Sequence, residues 1–321
     1  MPSGVFKYVR KAVVFYISDM TENERDLATL RTEQVDEKFA LLDVMSVGEL
    51  LQVINENDAE VPKAIAHVLP TIKDAIEAIV DRMMQGGRLI YMGAGTSGRL
   101  GVLDAAELGP TFSVPHDQVL AFIAGGNKAL REAVESAEDN AQAGTDELKA
   151  ITLTATDAVV GIAASGRTPY VRGGLEYAKS VGALSISLTC NPDSEISKYA
   201  DFAIEVDSGP ELLAGSTRMK SGTAQKLVLN MISTVTMIRL GKTFGNLMVD
   251  LQITNQKLQD RAVRIIQNAT GATRVEAVKA LEDSGQMVKV AILMILLHTD
   301  ADTAKERLAS AQNRIRQALD K

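Results

Sequence analysis

Residues 88–99 read Arg88-Leu-Ile-Tyr-Met-Gly-Ala-Gly-Thr-Ser-Gly-Arg99, and this stretch decides the fold. Its first half is a short apolar run that is typical of a buried strand, and its second half is a glycine-rich turn leading into a helix. Glycines let the backbone turn tightly and come close to an anion. The first amides of the helix, together with the hydroxyls of Thr96 and Ser97, can then hold phosphate oxygens. The stretch predicts a strand–turn–helix unit with an anion site.

The glycine spacing leaves the kind of ligand open. Gly93, Gly95 and Gly98 match a loose GxGxxG pattern, which is also found in dinucleotide-binding proteins. Such a site needs an acidic residue at the end of the second strand, about 20 residues further on. Asp104 and Glu107 come too early, inside the following helix. A tight turn that binds nothing is the alternative to a phosphate loop.

Four more apolar runs with the same character follow along the chain. Strands are predicted at 88–92, 119–123, 158–162, 183–188 and 202–206. Helices are predicted between them at about 97–108, 128–150, 168–181 and 192–199. Alternating strands and helices favour an α/β fold with a doubly wound parallel sheet and helices on both faces.

Helical patterns flank this α/β core. Apolar residues recur at helical spacing from Asn23 to about Arg82, and Pro62 fits the first turn of a helix. Further helices are predicted at about 216–240, 250–269 and, as short pieces, within 271–321. The predicted organisation has three parts. An N-terminal extension and helical arm (1–50, of which 1–19 form a peripheral extension) comes first, an α/β core domain (51–262) follows, and a small all-helical domain (263–321) ends the sequence.

Composition and net charge exclude several classes of protein. Of the 321 residues 46% are apolar and 23% are charged, as in ordinary globular proteins. A net charge of −7 disfavours nucleic-acid and anionic-membrane binding, and no apolar run approaches the ~20 residues of a membrane span. The single cysteine, Cys190, and three scattered histidines argue against a disulfide framework and a zinc site. We expect a cytoplasmic protein without a metal or cofactor.

Two further loops repeat the chemistry of the first. Ile162-Ala-Ala-Ser-Gly-Arg-Thr-Pro169 combines hydroxyls, a glycine and a proline at the start of a helix, and 209–223 opens the long helix. Three such loops at the carboxyl ends of parallel strands converge on one crevice, which predicts a small phosphorylated ligand. The candidate binding residues are Thr96, Ser97, Ser165, Gly166, Arg167, Thr168, Ser216, Arg218 and Lys220.

Carboxylates close to these loops are candidates for proton transfer. Glu107 lies on the helix after the first loop, where it can reach a bound ligand. Glu132, Glu135 and Glu138 are expected to share one face of the helix predicted at 128–150. A solvated acidic face is the alternative. A catalytic role requires one carboxylate to be desolvated, so that its pKa rises toward neutrality.

Three loop sequences resemble those of the bacterial N-acetylmuramic acid 6-phosphate etherases. The matching stretches, within a resemblance that covers about 31–321, are Gly93-Ala-Gly-Thr-Ser-Gly-Arg-Leu, Gly161-Ile-Ala-Ala-Ser-Gly-Arg-Thr-Pro-Tyr170, Gly215-Ser-Thr-Arg-Met-Lys-Ser-Gly-Thr-Ala-Gln-Lys226, Asn246-Leu-Met-Val-Asp250 and Asn255-Gln-Lys257-Leu. The segment that follows Thr32-Glu33 departs from the family, because it lacks the usual Asn-x-x-Ser.

The resemblance implies a fold and a reaction. The fold is the sugar-isomerase (SIS) domain, which also occurs in glucosamine-6-phosphate synthase and the glucokinase regulatory protein. The implied reaction removes lactate from carbon 3 of a 6-phosphosugar by elimination followed by addition of water, with no metal or redox cofactor. The resemblance assigns Glu107 as the acid that protonates lactate and Glu138 as the base at carbon 2. It assigns Ser97, Ser165 and Thr168 to the phosphate.

Two other functions stay open at this point. A non-catalytic sugar-phosphate sensor would keep the loops and add a partner surface, and an aldose–ketose isomerase would move a proton between carbons 1 and 2 without losing lactate. Release of lactate separates the etherase from both. Because SIS domains usually pair and the helix around Leu227–Leu240 is apolar, we also expect a homodimer with sites near its interface.

Overall fold

A computed structural model describes residues 29–253 and 255–320 of the chain. The extension predicted for residues 1–19 and the start of the helical pattern at Asn23 lie outside the described residues. The fold class is confirmed: a parallel sheet carries helices on both faces, helices precede it, and a helical region follows it.

The central sheet has five parallel strands in the order β2-β1-β3-β4-β5. The strands are β1 (Leu89–Gly93), β2 (Val119–Ile123), β3 (Ala158–Ala163), β4 (Leu184–Thr189) and β5 (Phe202–Glu205). Each lies within one residue of its prediction at either end. The strand order reverses between β1 and β3, and in open α/β sheets ligands bind at the carboxyl ends of the strands at such a point. The first two predicted phosphate loops follow these two strands.

Twelve α-helices surround or follow the sheet within the described residues. They are α1 (Val47–Asp58), α2 (Val61–Met84), α3 (Gly95–Phe112), α4 (Gly126–Ala129), α5 (Ala141–Ala150), α6 (Pro169–Ser180), α7 (Lys220–Arg239), α8 (Gln256–Thr270), α9 (Arg274–Asp283), α10 (Val288–Leu297), α11 (Ala301–Ser310) and α12 (Ile315–Asp320). A short antiparallel hairpin of β6 (Thr243–Phe244) and β7 (Leu247–Met248) connects α7 to the C-terminal helices.

Both faces of the sheet are buried, which explains why β1 and β3 are apolar without alternation; in β4, buried hydroxyl residues alternate with apolar ones. In β1, Leu89 and Tyr91 belong to the core that α2 and α7 share, whereas Ile90 and Met92 belong to the core under α5 and α6. Every residue of β1, β3 and β4 is buried. A strand covered on both sides has no polar face, so its sequence reads as a continuous apolar run.

The C-terminal helices have a core of their own. Buried residues from Val249 to Ala318 form one hydrophobic cluster, to which α8–α12 all contribute. Lys289 is buried in this region, and its ammonium donates to Asp250 Oδ2 at 2.8 Å and to the Asn313 carbonyl at 3.2 Å. The domain boundaries at 50/51 and 262/263 stay predictions.

The prediction of a single continuous helix at 128–150 is wrong. The segment contains the end of α4, a 3-10 turn at Glu135–Ala137 and α5. Arg99 donates to the carbonyls of Leu130 and Glu132, at 3.3 and 3.0 Å, and these are acceptors that a continuous helix would use internally. Asn140 then caps α5, because its Oδ1 accepts from the amide of Ala143 at 3.0 Å.

Other helices begin later than predicted, or are shorter. The region of 31–44 forms three 3-10 turns, and α1 begins only after Ser46, which forms a capping box with Glu49. The helix predicted at 192–199 is a 3-10 helix, Glu195–Tyr199. The helices predicted from 216 and 250 begin at Lys220 and Gln256.

In the described part of the chain, no helix combines the length and the apolar character needed to cross a membrane.

Candidate active site

The first loop is built on close contacts between its glycines. A Cβ on Gly98 would lie 2.6 Å from the Gly93 carbonyl oxygen, and a Cβ on Gly93 would lie 2.9 Å from the carbonyl oxygen of Ile162. Gly95 has a positive φ of 52°. These glycines let the first turn of α3 press against the ends of β1 and β3. The loose GxGxxG spacing is thus explained by backbone packing at this turn.

The first loop also contacts the start of α7. Ser97 is buried, and its hydroxyl donates to Oε1 of Gln225 at 2.9 Å. A Cβ on Gly222 would lie 3.4 Å from the Thr96 methyl group. The two hydroxyl residues predicted to bind phosphate therefore face α7. No sequence pattern indicated that Gln225 is their neighbour.

The second loop lines a cavity of about 680 Å³. Gly166 has a φ of 74°, and a Cβ there would lie 2.2 Å from Ser194 Oγ, so only glycine fits. Ser165 Oγ accepts from the amide of Arg167 at 3.3 Å. Thr168 is the N-cap of α6, yet its side chain makes no capping hydrogen bond. The cavity brings Ser165 and Arg167 together with the following residues: Thr29, Leu30, Arg31, Gln34, Asn191, Pro192, Asp193, Ser194, Glu195, Lys198 and Tyr199.

The third loop is held by a buried carboxylate. Glu211 accepts from the amides of Lys220 and Ser221, both at 2.9 Å, and from Ser221 Oγ at 2.7 Å. A carboxylate at the N-terminus of α7 satisfies amides that have no partner within the helix and complements the helix dipole. It also explains why this helix begins at residue 220 rather than 216. Ser216 lies in the preceding turn, and Arg218 is exposed.

Lys220 faces a different cavity from Ser165. Its ammonium donates to the Ser208 carbonyl at 2.6 Å and lines a cavity of about 410 Å³ with Arg31 and Lys63. Burial lowers the pKa of Lys220, and the charge of Glu211 offsets only part of this effect. In the single chain, Lys220 therefore lines a different cavity from Ser165, although Arg31 lines both.

Thr32, just before the segment that departs from the family pattern, packs on the loops. Thr32 Oγ1 accepts from Asn191 Nδ2 at 3.2 Å, and the Thr32 carbonyl accepts from the Gly215 amide, also at 3.2 Å. Asn191 also donates to the Ala164 carbonyl at 3.0 Å. Thr32 thus connects the second loop to the third, which the sequence did not indicate.

Glu107 lies beside a buried hydrogen-bond network. One turn earlier on α3, Asp104 accepts from Tyr91 at 3.0 Å, from Asn230 at 2.9 Å and from Ser233 at 3.1 Å. Burial raises the pKa of Asp104, while these hydrogen bonds act in the opposite direction. Glu107 is exposed and, with Asp104 and Asn230, lines two cavities of about 430 and 280 Å³. The network fixes the turn of α3 from which Glu107 projects.

Glu138 lies next to the second loop. Its carbonyl accepts from the amide of Tyr170 at 2.9 Å, two residues after Thr168. Desolvation, assisted by the negative charges of Asp139 and Glu135, raises the pKa of the Glu138 carboxyl group. The residue as a whole is nevertheless exposed, so this desolvation is only partial. The three glutamates do not share a helix face, since Glu135 begins a 3-10 turn and Glu138 follows it.

No group of three or more His, Cys, Asp or Glu side chains among the described residues has the arrangement of a metal site. The structure thus offers hydroxyls, helix amides and two separate carboxylates as its chemical groups. Such a set can bind a phosphate ester and transfer protons.

Family models match most of the chain. The N-terminal SIS domain of the glucokinase regulatory protein matches residues 71–179, and the SIS domain matches 132–235. The C-terminal lid domain of the glucokinase regulatory protein matches 245–284. Among solved structures, a phosphoheptose isomerase from Francisella tularensis has a TM-score of 0.50 at 18% identity, covering 60% of this chain and 100% of that one, which supports the fold alone.

Curated relatives match over nearly the whole length. The N-acetylmuramic acid 6-phosphate etherase of Pectobacterium atrosepticum is 53% identical over 300 residues, which are 94% of this chain and 99% of the relative. Etherase 2 of Vibrio parahaemolyticus is 54% identical over 92% of this chain and 98% of its own length. The etherase of an Exiguobacterium species is 53% identical over 91% of this chain and 100% of its own length. By this full-length similarity, the chain belongs to the N-acetylmuramic acid 6-phosphate etherase family.

Proposed function

We propose that the protein is a carbon–oxygen lyase that cleaves the D-lactyl ether of N-acetylmuramic acid 6-phosphate. The products are N-acetylglucosamine 6-phosphate and D-lactate. The observation that carries this proposal is the identity of more than half of the residues to etherases that match over at least 91% of the chain. That coverage includes the segments that contain Glu107 and Glu138.

The reaction needs one base and one acid. In the open-chain sugar the carbon 2 proton is acidic, because it is next to the aldehyde, and the ether oxygen is on the adjacent carbon 3. A base removes the carbon 2 proton, the bond from carbon 3 to the ether oxygen breaks, and an acid protonates the departing lactate. Water then adds its hydroxyl to carbon 3 while carbon 2 regains a proton. Two carboxyl groups in different environments suffice for these steps.

We assign the base to Glu138. Its position beside Thr168 and the start of α6 supports this role, because a ligand phosphate at the second loop brings carbon 2 to the same end of the sheet. A raised pKa also makes a carboxylate a stronger base once it is ionised.

We assign the acid to Glu107, and its position favours a site shared between two copies of the chain. Glu107 follows Ser97 by ten residues on α3, about 15 Å along the helix axis. Only five covalent bonds separate the phosphorus from carbon 3 of the sugar. Glu107 also lines cavities other than the one that contains Ser165. A second copy can bring its own Glu107 to the phosphate loops of the first.

Exposed apolar residues support such a homodimer. Beside Glu107 on α3 and α7, Leu103, Val235 and Ile238 are 52%, 38% and 46% exposed. In the N-terminal segment, Val44 and Val47 are 72% and 73% exposed. Apolar patches of this kind on a soluble chain are commonly covered by a partner.

We also propose that the enzyme works in the cytoplasm. A doubly charged phosphate ester does not cross a bilayer unaided, because removing its charge from water is costly. Its enzyme is therefore expected in the compartment where the phosphate is attached. Cell fractionation with an antibody to the protein tests this placement.

Release of lactate tests the proposed function. The purified protein is incubated with N-acetylmuramic acid 6-phosphate, and D-lactate is measured with a lactate dehydrogenase assay. An etherase releases lactate and N-acetylglucosamine 6-phosphate in equal amounts. A sugar-phosphate sensor and an aldose–ketose isomerase both release no lactate. The assay therefore separates the etherase from these two alternatives.

A further inference from the structure

Gln225 is a buried amide beside the first loop, and one of its two polar atoms is unpaired. The residue is 1% exposed, and its Oε1 accepts from Ser97 Oγ. Its Nε2 has no hydrogen-bond partner among the described residues. Buried donors are nearly always paired, because an unpaired donor loses its hydrogen bonds to water without replacement. The unpaired Nε2 therefore points to a second arrangement of this amide.

The direction of the Ser97 hydrogen bond conflicts with phosphate binding. A serine hydroxyl has a single proton, and here that proton goes to Gln225 Oε1. A phosphate dianion offers only acceptor oxygens, so Ser97 has to donate the same proton to bind it. Ser97 cannot bind phosphate and keep its present hydrogen bond to Gln225.

A half-turn of the amide pairs the donor and frees the hydroxyl proton, and it leaves the carbonyl oxygen in the position without a partner. Rotation about the Cγ–Cδ bond exchanges Oε1 and Nε2, which are nearly equal in size. Nε2 then donates to Ser97 Oγ, so the unpaired donor gains a partner and the hydroxyl proton becomes available to the ligand. A hydroxyl that accepts one hydrogen bond is also polarised to donate another more strongly.

We propose that Gln225 is a positioning residue for the phosphate group: its amide turns when a sugar 6-phosphate binds, and it then directs the Ser97 hydroxyl to the phosphate. The proposal rests on the proposed function, because it requires Ser97 to bind the 6-phosphate. It extends the phosphate site from the first loop to the second turn of α7.

The test compares Gln225→Met, which keeps the volume but not the amide, with the wild-type enzyme. We expect KM for N-acetylmuramic acid 6-phosphate to rise about tenfold with kcat largely kept, because the contact with phosphate is the same in substrate and transition state. Binding of N-acetylglucosamine 6-phosphate, measured by calorimetry, should weaken equally. In the Ser97→Ala background, Gln225→Met should cause no further loss, since both changes remove one coupled unit.

Thr236→Val is the matched control, because Thr236 is buried on the same helix and its Oγ1 also lacks a partner among the described residues. This variant should keep the wild-type KM. An unchanged KM in Gln225→Met, or losses that add to those of Ser97→Ala, would overturn the proposal.

If Gln225→Met does not fold, Gln225→Glu is the second variant. Its carboxylate can only accept from Ser97, so normal phosphate binding by this variant would overturn the proposal. Absence of lactate release by the wild-type enzyme contradicts the proposed function instead.

Discussion

Glu138 shows how a carboxyl group takes its chemistry from its surroundings. Desolvation is the largest cause of its raised pKa, and the like charges of Asp139 and Glu135 add to it. The 3-10 turn before it, and the hydrogen bond that its backbone carbonyl accepts from the Tyr170 amide, hold residue 138 beside the start of α6.

Removing the two neighbouring charges should shift the pH dependence of the reaction. In the double variant Glu135→Gln, Asp139→Asn, the pKa of Glu138 should fall, although desolvation still keeps it above the ordinary range. A base acts only when it is deprotonated, so the acid limb of the kcat/KM profile should move to lower pH. Glu132→Gln is the control, since Glu132 is not a cause of the shift. An acid limb that stays in place would argue against Glu138 as the base.

Ser165→Ala tests the second loop at the same scale. If its hydroxyl donates to the phosphate, loss of this charge-assisted hydrogen bond should weaken the binding of sugar 6-phosphates by about tenfold or more. The matched control is Ser180→Ala, at the far end of α6, where the hydroxyl donates to the Tyr177 carbonyl. Unchanged binding in Ser165→Ala would mean that the loop is only a tight turn.

At the scale of elements, the strands followed from the sequence and several helix boundaries did not. Strands buried on both faces are short apolar runs, and such runs are visible in the sequence. The interruption between α4 and α5 depends instead on Arg99, more than 30 residues away, and the start of α7 depends on Glu211. Helix propensity cannot show acceptors and donors that arrive from another part of the fold.

An ion pair between Arg88 and Asp157 joins the amino ends of β1 and β3, at the opposite end of the strands from the site. Asp157, just before β3, accepts from the amide, Nε and guanidinium Nη2 of Arg88 at 2.9, 3.0 and 2.7 Å, and also from Thr154. Although desolvation acts to raise the pKa of Asp157, the hydrogen bonds from Arg88 and Thr154 outweigh it, and the pKa is lowered.

Asp157→Ala should therefore lower the free energy of unfolding by about 3–5 kcal/mol, because the partly buried Arg88 loses its partner. A depressed pKa contributes stability above the pKa of the unfolded chain, near 3.9, and this contribution is lost as the pH falls through the folded value. Urea unfolding at pH 7 and pH 3 should thus show a smaller difference between variant and wild type at pH 3. An equal difference at both pH values would contradict this role. Asp146→Ala, at an exposed ion pair, is the control.

At the scale of the whole molecule, the positions of the three loops were predictable and their surroundings were not. The motifs identified the loops at the strand ends, but Gln225 reaches Ser97 across 128 positions of sequence and Asn191 reaches Thr32 across 159. Lys220 was expected beside the phosphate, whereas its ammonium is bound at the Ser208 carbonyl. These long-range contacts arise only in the folded chain, and no local sequence pattern indicates them.

A shared site predicts that two inactive variants complement each other. In a mixed dimer of Glu107→Gln and Glu138→Gln subunits, one site combines both intact carboxylates and the other has neither. After unfolding and refolding of an equal mixture, lactate release should reach about a quarter of the wild-type rate. A dimer mass in solution is the control for assembly. A monomer mass, or no recovery from a dimer, would contradict the shared site.

The most direct test of the central claim, that Glu138 is the base and Glu107 the acid, follows two reactions in each variant. Lactate release from N-acetylmuramic acid 6-phosphate is measured beside deuterium uptake at carbon 2 of N-acetylglucosamine 6-phosphate in heavy water. Glu107→Gln should lose lactate release and keep the exchange, while Glu138→Gln should lose both, each by about 10²–10⁴-fold. Normal lactate release by Glu138→Gln would contradict the assignment, and Glu135 would then be the next candidate for the base.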